Sequence, residues 1–202
     1  AVFTLLPLCA ASIDDLTYTS DDTSVTITDC DESASGTLVI PDTIDGLVVT
    51  SISFNSFRYC SSLTSITLPD SIISIGSEAF LECTSLKSVN IPDSVTSSIG
   101  NGAFARCTSL TSVNIPDGVT SIGNAAFDSC TSLTSVTIGD GVTSIGDYTF
   151  FGCTSLTNIT IPDGVTSIGS NAFRDCTSLT SVNIPDGVTS IANFAFYQCA
   201  SL

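Results

Sequence analysis

A 23-residue unit recurs through most of the chain and limits what it can fold into. It contains Phe-x-x-Cys, and successive cysteines lie 23 or 24 residues apart. The seven cysteines are Cys60, Cys83, Cys107, Cys130, Cys153, Cys176 and Cys199. Such spacing is typical of arrays in which each unit stacks on the next. We therefore expect one continuous solenoid with a single elongated core.

The copy at residues 110–130 predicts the structure of one unit. Its six apolar anchors are Leu110, Val113, Ile115, Val119, Ile122 and Phe127. The alternation from 112 to 115 is typical of a short strand with one buried face. Pro116 lacks an N–H and ends the strand, Asp117-Gly118 favours a turn, and residues 125–127 fit a tight or helical turn. The unit thus predicts a mainly β solenoid with short helical turns and one parallel strand per repeat.

The repeats begin only after an irregular N-terminal part. Residues 1–12 resemble either the remnant of a secretion signal or a cap strand, because an apolar run precedes small residues. Residues 13–37 contain two strand-like runs around a polar turn, and we expect them to form an N-terminal β cap. Residues 38–202 then form the array of about seven units.

Charge and composition exclude several classes of function. The net charge is −16, and the only basic residues are Arg58, Lys87, Arg106 and Arg174. Such a surface repels phosphate groups, so we expect no nucleic-acid partner. No apolar run reaches the roughly 18 residues that span a bilayer, so we expect no membrane insertion. The chain has no His, which removes the commonest general base and makes an enzyme a poor fit.

The cysteine column predicts buried thiols more strongly than disulfides. Equivalent residues in stacked strands lie ~4.8 Å apart, which is within bridging range. Identical side chains in one column point the same way, however, whereas a bridge requires Cβ vectors that turn towards each other. Free Cys is readily buried, so we expect a mostly reduced core. Cys9 and Cys30 lie outside the column and are the candidates for a disulfide.

The string LTSVNIPDGVTSIGNAAFDSCTSL resembles the BspA-like bacterial leucine-rich repeats, whose units read roughly L-x-x-I-x-I-P-x-x-V-x-x-I-G-x-x-A-F-x-x-C. The resemblance covers about residues 38 to 202 and implies a right-handed leucine-rich-repeat solenoid. Members are typically secreted or cell-surface proteins associated with adhesion to host or matrix proteins and to other cells. The family has no shared catalytic residues, so the resemblance implies no enzymatic activity and no cofactor.

The strand face is the predicted partner-binding surface. Its predicted residues are Thr67, Lys87, Asn90, Thr111, Asn114, Thr134, Thr137, Thr157, Thr160, Thr180 and Asn183. An extended, rigid face of this kind suits an extracellular protein, glycan or matrix partner. Its monotony favours a repetitive target, because specific protein contacts usually need aromatic residues and Arg. A merely solvated face is the simpler interpretation.

An acidic column is the second candidate. It consists of Asp42, Asp70, Asp93, Asp117, Asp140, Asp163 and Asp186. Extracellular Ca²⁺ binding requires several oxygen ligands, and one Asp per repeat makes at best a weak site. Asp also suits this turn when its side chain accepts a hydrogen bond from a nearby backbone N–H. We favour the turn interpretation and expect no cofactor beyond weak Ca²⁺ binding.

Two other functions remain open at this point. The near-identical repeats and the absence of a polar C-terminal cap favour a structural subunit that self-assembles end to end. The regular Thr and Ser columns resemble the flat arrays of ice-binding solenoids, although the V-T-S-I rhythm matches them poorly. We rank adhesion first, self-assembly second, and ice or cation binding third.

Overall fold

The computed structural model describes residues 10–202 as a solenoid of about seven turns, built from strands and tight turns. Helix in these residues is confined to a single 3₁₀ turn at Ile13–Asp15. No helix in this range is long and apolar enough to cross a membrane. Cys9 and most of the signal-like segment lie outside the described residues, so the Cys9–Cys30 disulfide stays a prediction.

Each regular repeat contributes a longer strand, predicted from its apolar pattern, and a second strand of only two residues. In chain order the strands are β1 (Leu16–Ser20), β2 (Ser24–Cys30), β3 (Ser35–Val39), β4 (Thr43–Ile44), β5 (Leu47–Ile52), β6 (Ser62–Thr67), β7 (Ser74–Ile75), β8 (Ser88–Asn90), β9 (Ser98–Ile99), β10 (Ser112–Ile115), β11 (Ser121–Ile122), β12 (Ser135–Ile138), β13 (Ser144–Ile145), β14 (Asn158–Thr160), β15 (Ser167–Ile168), β16 (Ser181–Asn183) and β17 (Ser190–Ile191).

The N-terminal segment forms a hairpin that joins the core of the repeats. Strands β1 and β2 pair antiparallel. Strand β2 also pairs in parallel with β5, and its Val25 and Ile27 are fully buried. Strand β3 starts at Ser35, three residues before Leu38, because its first residues pair with the start of β6. The strand-like runs predicted within residues 13–37 are therefore present as β1 and β2.

The longer strands stack in parallel with whole-repeat register. They pair as β3-β6-β8, β10-β12 and β14-β16. Backbone hydrogen bonds connect these groups, from the Thr111 N–H to the Lys87 carbonyl oxygen (3.2 Å) and from the Thr157 N–H to the Thr134 carbonyl oxygen (3.4 Å). The two-residue strands extend another sheet, which begins with the longer strands β1, β2 and β5. Its order is β1-β2-β5-β7-β9-β11-β13-β15-β17, with β4 paired to β5. Each coil therefore has two strand columns.

The third column of each coil consists of tight turns rather than helical turns. In the copy at 123–130, Ala125 and Ser129 have positive φ angles of 55° and 57°, which interrupt a helix. The N–H groups of Ala125, Phe127 and Ser129 consequently point along the stack. They donate to the carbonyl oxygens of Asp147, Thr149 and Phe151 in the next repeat, at 2.8, 2.9 and 2.7 Å. The turn predicted at 125–127 is present, but its hydrogen bonds stabilise the array and not a local helix.

The core is a continuous stack of the predicted anchors. Leu110, Val113, Ile115, Val119, Ile122 and Phe127 are all buried. The repeated phenylalanines, from Phe57 to Phe196, form a parallel stack with neighbouring ring centroids 5.0–5.5 Å apart. Burying one Phe contributes roughly 1.5–3 kcal/mol, a gain that each unit realises only against its neighbours. The prediction of a single elongated core is confirmed.

Candidate interaction faces

One predicted column of the strand face carries side chains with no hydrogen-bond partner in the described part of the chain. Its members are exposed and occupy equivalent positions on the longer strands: Thr67, Asn90, Asn114, Thr137, Thr160 and Asn183. We call this set the free column. The members pair in register within each pair of strands, and their amides and hydroxyls form a row along the stack. These groups are available to a partner.

The neighbouring column is also exposed, but its hydroxyls already have partners. Thr111, Thr134, Thr157 and Thr180 each donate to the carbonyl oxygen of the equivalent residue in the preceding repeat, at 3.0–3.4 Å. This column therefore holds adjacent repeats together. Sequence reasoning grouped the two columns, because it could not show which hydroxyls satisfy backbone carbonyls.

Lys87 occupies the same position as these threonines in an earlier repeat. Its side chain is exposed and forms no ion pair within residues 10–202. Its backbone carbonyl accepts hydrogen bonds from both the N–H and the hydroxyl of Thr111. The ammonium group is thus the one cation of the described strand face, and it is free to contact an acidic group of a partner.

Two shallow grooves connect the free column to the aspartate column. The first, about 370 Å³, is lined by Asp70, Asn90, Asp93 and Asn114 among others. The second, about 330 Å³, is lined by residues that include Thr137, Asp140, Asn158 and Thr160. Both grooves lie where the longer strands end. Their linings supply amide, hydroxyl and carboxylate groups suited to hydrogen bonding with a polar ligand.

The aspartate column is exposed and largely without hydrogen bonds to the backbone. Among the described carboxylates of the column, only that of Asp117 accepts a hydrogen bond from a backbone N–H, that of Asp140 in the next repeat at 3.1 Å. The predicted Asp–backbone bond therefore explains one position and leaves the others to the general suitability of Asp for turns. Within residues 10–202, no group of three or more His, Cys, Asp or Glu side chains is arranged to hold a metal ion.

The cysteine column is structural. The seven cysteines of the column are free, as predicted, and six of them are buried. Each thiol from Cys83 onwards donates to the carbonyl oxygen of the phenylalanine in the preceding repeat, for example Cys130 to Phe104 at 3.2 Å. Burial raises the pKa of Cys83 to about 12 and holds the pKa of Cys130 well above its usual value. A protonated, buried thiol is a poor nucleophile and a poor metal ligand.

Sequence reasoning did not identify the surface of the tight turns as a candidate site. We call residues 124–129 and their equivalents the turn face. All three arginines lie there, each in an ion pair: Arg58 with Glu78 (3.2 Å), Arg106 with Glu82 (2.8 Å) and Arg174 with Asp175 (3.4 Å). Five exposed aromatic side chains share this face, namely Phe54, Tyr59, Tyr148, Phe194 and Tyr197. The signal in the sequence was departure from the repeat consensus at these positions.

Comparisons with known proteins place the chain in a family. The model of the BspA type leucine rich repeat region matches in six copies, over residues 50–138 and 97–202. A search of curated proteins found no match.

Solved bacterial structures share the fold. A leucine-rich-repeat protein from T. pallidum is 30% identical, with a TM-score of 0.89 over 96% of this chain and 90% of its own. A leucine-rich-repeat protein from Bacteroides ovatus is 29% identical, with a TM-score of 0.66 over 92% of this chain and 56% of its own. A leucine-rich cell-surface protein from Faecalibacterium prausnitzii is 34% identical, with a TM-score of 0.61 over 87% of this chain and 53% of its own.

The chain thus spans nine-tenths of the T. pallidum structure and just over half of the other two. The fold comparison and the repeat spacing agree with the match to the family model, which extends over most of the chain. The chain belongs to the BspA-type leucine-rich-repeat family.

Proposed function

We propose that this chain is a non-enzymatic adhesion or protein-binding module at the cell surface or in the secreted fraction. Its partner is an extracellular protein, glycan or matrix component that binds along the strand face. One observation carries this proposal: the free column presents six exposed polar side chains, one per repeat, that have no hydrogen-bond partner among residues 10–202. The leucine-rich-repeat fold is a protein-interaction fold, which supports the same function.

The geometry of the strand face favours an extended or repetitive ligand. Asn90 and Asn114 line one groove, while Thr137 and Thr160 line the other, so similar polar contacts recur along the stack. Parallel strands stack ~4.8 Å apart, and a ligand with several polar groups would engage several repeats at once. The name of the F. prausnitzii relative, a leucine-rich cell-surface protein, supports the proposed location.

A binding array tests this proposal with matched variants. The probes are immobilised fibronectin, laminin, collagen and bacterial and plant polysaccharides, and the analyte is the labelled chain. The strand-face variant is Asn114→Lys/Thr137→Lys, at two exposed positions that pair in register. The control is Thr96→Lys/Ser97→Lys, which makes the same charge change at exposed positions outside the free column. We expect a bound probe to lose about tenfold or more in affinity with the first variant only.

Equal losses in the two variants would show that charge, and not the free column, controls binding. Light scattering of the chain alone, at increasing concentration, separates adhesion from the alternative of end-to-end assembly. A constant monomer mass would argue against self-assembly and support binding to a different molecule. Growth into long particles would instead support the structural-subunit alternative.

A further inference from the structure

A compact aromatic patch covers part of the turn face in the last three repeats. It consists of Tyr148, Phe151, Arg174, Phe194 and Tyr197, and we call it the turn-face patch. The Tyr148 and Phe151 rings lie 5.8 Å apart, and those of Phe194 and Tyr197 lie 5.6 Å apart, nearly perpendicular. Tyr148, Phe194 and Tyr197 are 45%, 61% and 47% exposed. Clusters of exposed aromatic side chains often mark interaction sites.

Tyr148 and Phe194 occupy the same position of their repeats. Tyr148 lies in an interior repeat that is covered on both sides, and it is still 45% exposed. Its backbone N–H donates to the Ser170 carbonyl oxygen along the stack, while a φ angle of 57° belongs to the same left-handed position as Ala125. Phe194 shares this position and is also exposed, whereas Asn171, the equivalent residue of the repeat between them, is buried.

Arg174 shows what these rings can bind. Its guanidinium carbon lies 5.7 Å from the Phe151 ring centroid and 5.1 Å from that of Tyr197. Both distances fall within the range of cation–π contacts. The Nε atom lies 3.4 Å from a carboxylate oxygen of Asp175, but the geometry does not make a hydrogen bond. Packing against the two rings is thus a main contact of this guanidinium.

The electrostatic surroundings favour a second cation. Asp147 and Asp128 also lie on the turn face, and no arginine pairs with either of them in the described residues. The whole chain carries a net charge of −16, so its long-range field attracts basic partners and repels acidic ones. The outer faces of Tyr148 and Phe194 add aromatic surface on which an arginine or lysine stem can lie.

We propose that the turn-face patch is a docking site for a basic polypeptide segment in which arginine or lysine alternates with apolar residues. Its cations stack on Tyr148 and Phe194 and approach Asp147 and Asp175, while its apolar side chains cover Phe151 and Tyr197. This site is separate from the strand face and does not depend on the function proposed there.

Fluorescence polarisation with a labelled peptide of alternating Arg and Leu tests the docking site. The variant Tyr148→Ala/Phe194→Ala removes two exposed rings without changing the net charge. Alanine is compatible with this backbone, because Ala125 occupies the equivalent position with a φ of 55°. We expect the variant to bind the peptide about tenfold more weakly. Phe54→Ala, which removes another exposed ring outside the patch, should leave binding unchanged.

Two further reagents separate docking from general attraction to an acidic protein. A peptide with Glu in place of Arg should not bind. The variant Asp117→Asn/Asp140→Asn lowers the net negative charge by two at the aspartate column and should weaken binding less than the loss of the two rings. Equal binding by the wild type and Tyr148→Ala/Phe194→Ala, or a larger effect of the aspartate variant, would overturn the proposal. Asn114→Lys/Thr137→Lys lowers the net negative charge by the same two units as the aspartate variant. Because these residues lie on the strand face, it tests separately whether that face contributes to peptide binding.

Discussion

At the scale of single residues, Phe127 shows how the array depends on its stack. Its ring is fully buried between Phe104 and Phe150, at centroid distances of 5.3 and 5.5 Å. Phe127→Ala would leave a cavity that both neighbours border, and we expect a loss of about 3–5 kcal/mol in the free energy of unfolding. Urea unfolding followed by circular dichroism measures this loss. Phe54→Ala, at a ring that is 57% exposed, should change it by less than about 0.5 kcal/mol.

The buried thiols predict a fall in stability at alkaline pH. Desolvation raises the pKa of Cys83 and Cys176 to about 12, whereas an unfolded thiol titrates near its ordinary value of 9.0. Between those values the unfolded chain releases protons that the folded chain retains, so the free energy of unfolding decreases as the pH rises. Each thiol contributes a slope of up to about 1.4 kcal/mol per pH unit. Urea midpoints at about pH 8 and pH 10 test this prediction.

A cysteine variant assigns the pH effect to the column. Cys130→Ala removes one buried thiol and should flatten the decline above pH 9, since one fewer group ionises on unfolding. The variant also loses the hydrogen bond to the Phe104 carbonyl oxygen, which lowers stability at all pH values alike. Identical pH profiles for the variant and the wild type would show that other groups cause the decline.

At the scale of elements, threonines in the two columns of the strand face should respond differently to the same substitution. The Thr134 hydroxyl donates to the Thr111 carbonyl oxygen at 3.0 Å, whereas Thr137 has no partner in the described residues. Thr134→Val should therefore cost about 1 kcal/mol of stability. Thr137→Val should cost less than about 0.5 kcal/mol. Thermal unfolding of the two variants checks the difference, and equal costs would contradict the division into a structural and a free column.

Much of each element was predictable because its signal recurs. The anchors Val113 and Ile115 alternate with polar residues in every copy, so the longer strand and its buried face follow from the pattern. The short strand Ser121–Ile122 has only two residues, too few for a periodic signal, and it forms through pairing with equivalent strands. The positive φ angles of Ala125 and Ser129 were also unpredictable, because neither residue favours that conformation.

The two candidate sites also differ in how far the sequence could predict them. The free column recurs in each repeat, and the sequence predicted it together with its structural neighbour. The turn-face patch depends on residues that do not recur, such as Arg174 and Tyr148, which a consensus of the repeats averages out. Only the fold brings Phe151, Arg174 and Tyr197 together, because they are 23 residues apart in sequence and adjacent in the stack.

At the scale of the whole molecule, charge is distributed unevenly around the coil. The turn face carries three arginines among five carboxylates, and its three ion pairs leave Asp128 and Asp147 without an arginine partner in the described residues. The aspartate column carries one exposed carboxylate per repeat and contains no cation. Neighbouring carboxylates ~4.8 Å apart repel by about 0.9 kcal/mol in water, before salt screening. Repulsion within the folded array is therefore concentrated along one edge.

This arrangement predicts that salt stabilises the fold and that Ca²⁺ adds nothing specific. Raising the ionic strength from about 0.01 M to 0.15 M shortens the Debye length from roughly 30 Å to 8 Å and weakens the repulsion along the aspartate column. We therefore expect NaCl to raise the thermal midpoint, and CaCl₂ at equal ionic strength to raise it by the same amount. Asp117→Asn/Asp140→Asn should reduce the response to both salts, because it removes two adjacent charges.

A Ca²⁺ site would give a different result, since a ligand that binds only the folded state stabilises it in proportion to the logarithm of its concentration over Kd. The midpoint would then rise further with CaCl₂ than with NaCl or MgCl₂, and a chelator would abolish the difference. Asp117→Asn/Asp140→Asn would lose that extra increment if the column holds the ion. One monodentate carboxylate per repeat provides too few oxygen ligands for such a site, so we expect the responses to these salts to coincide.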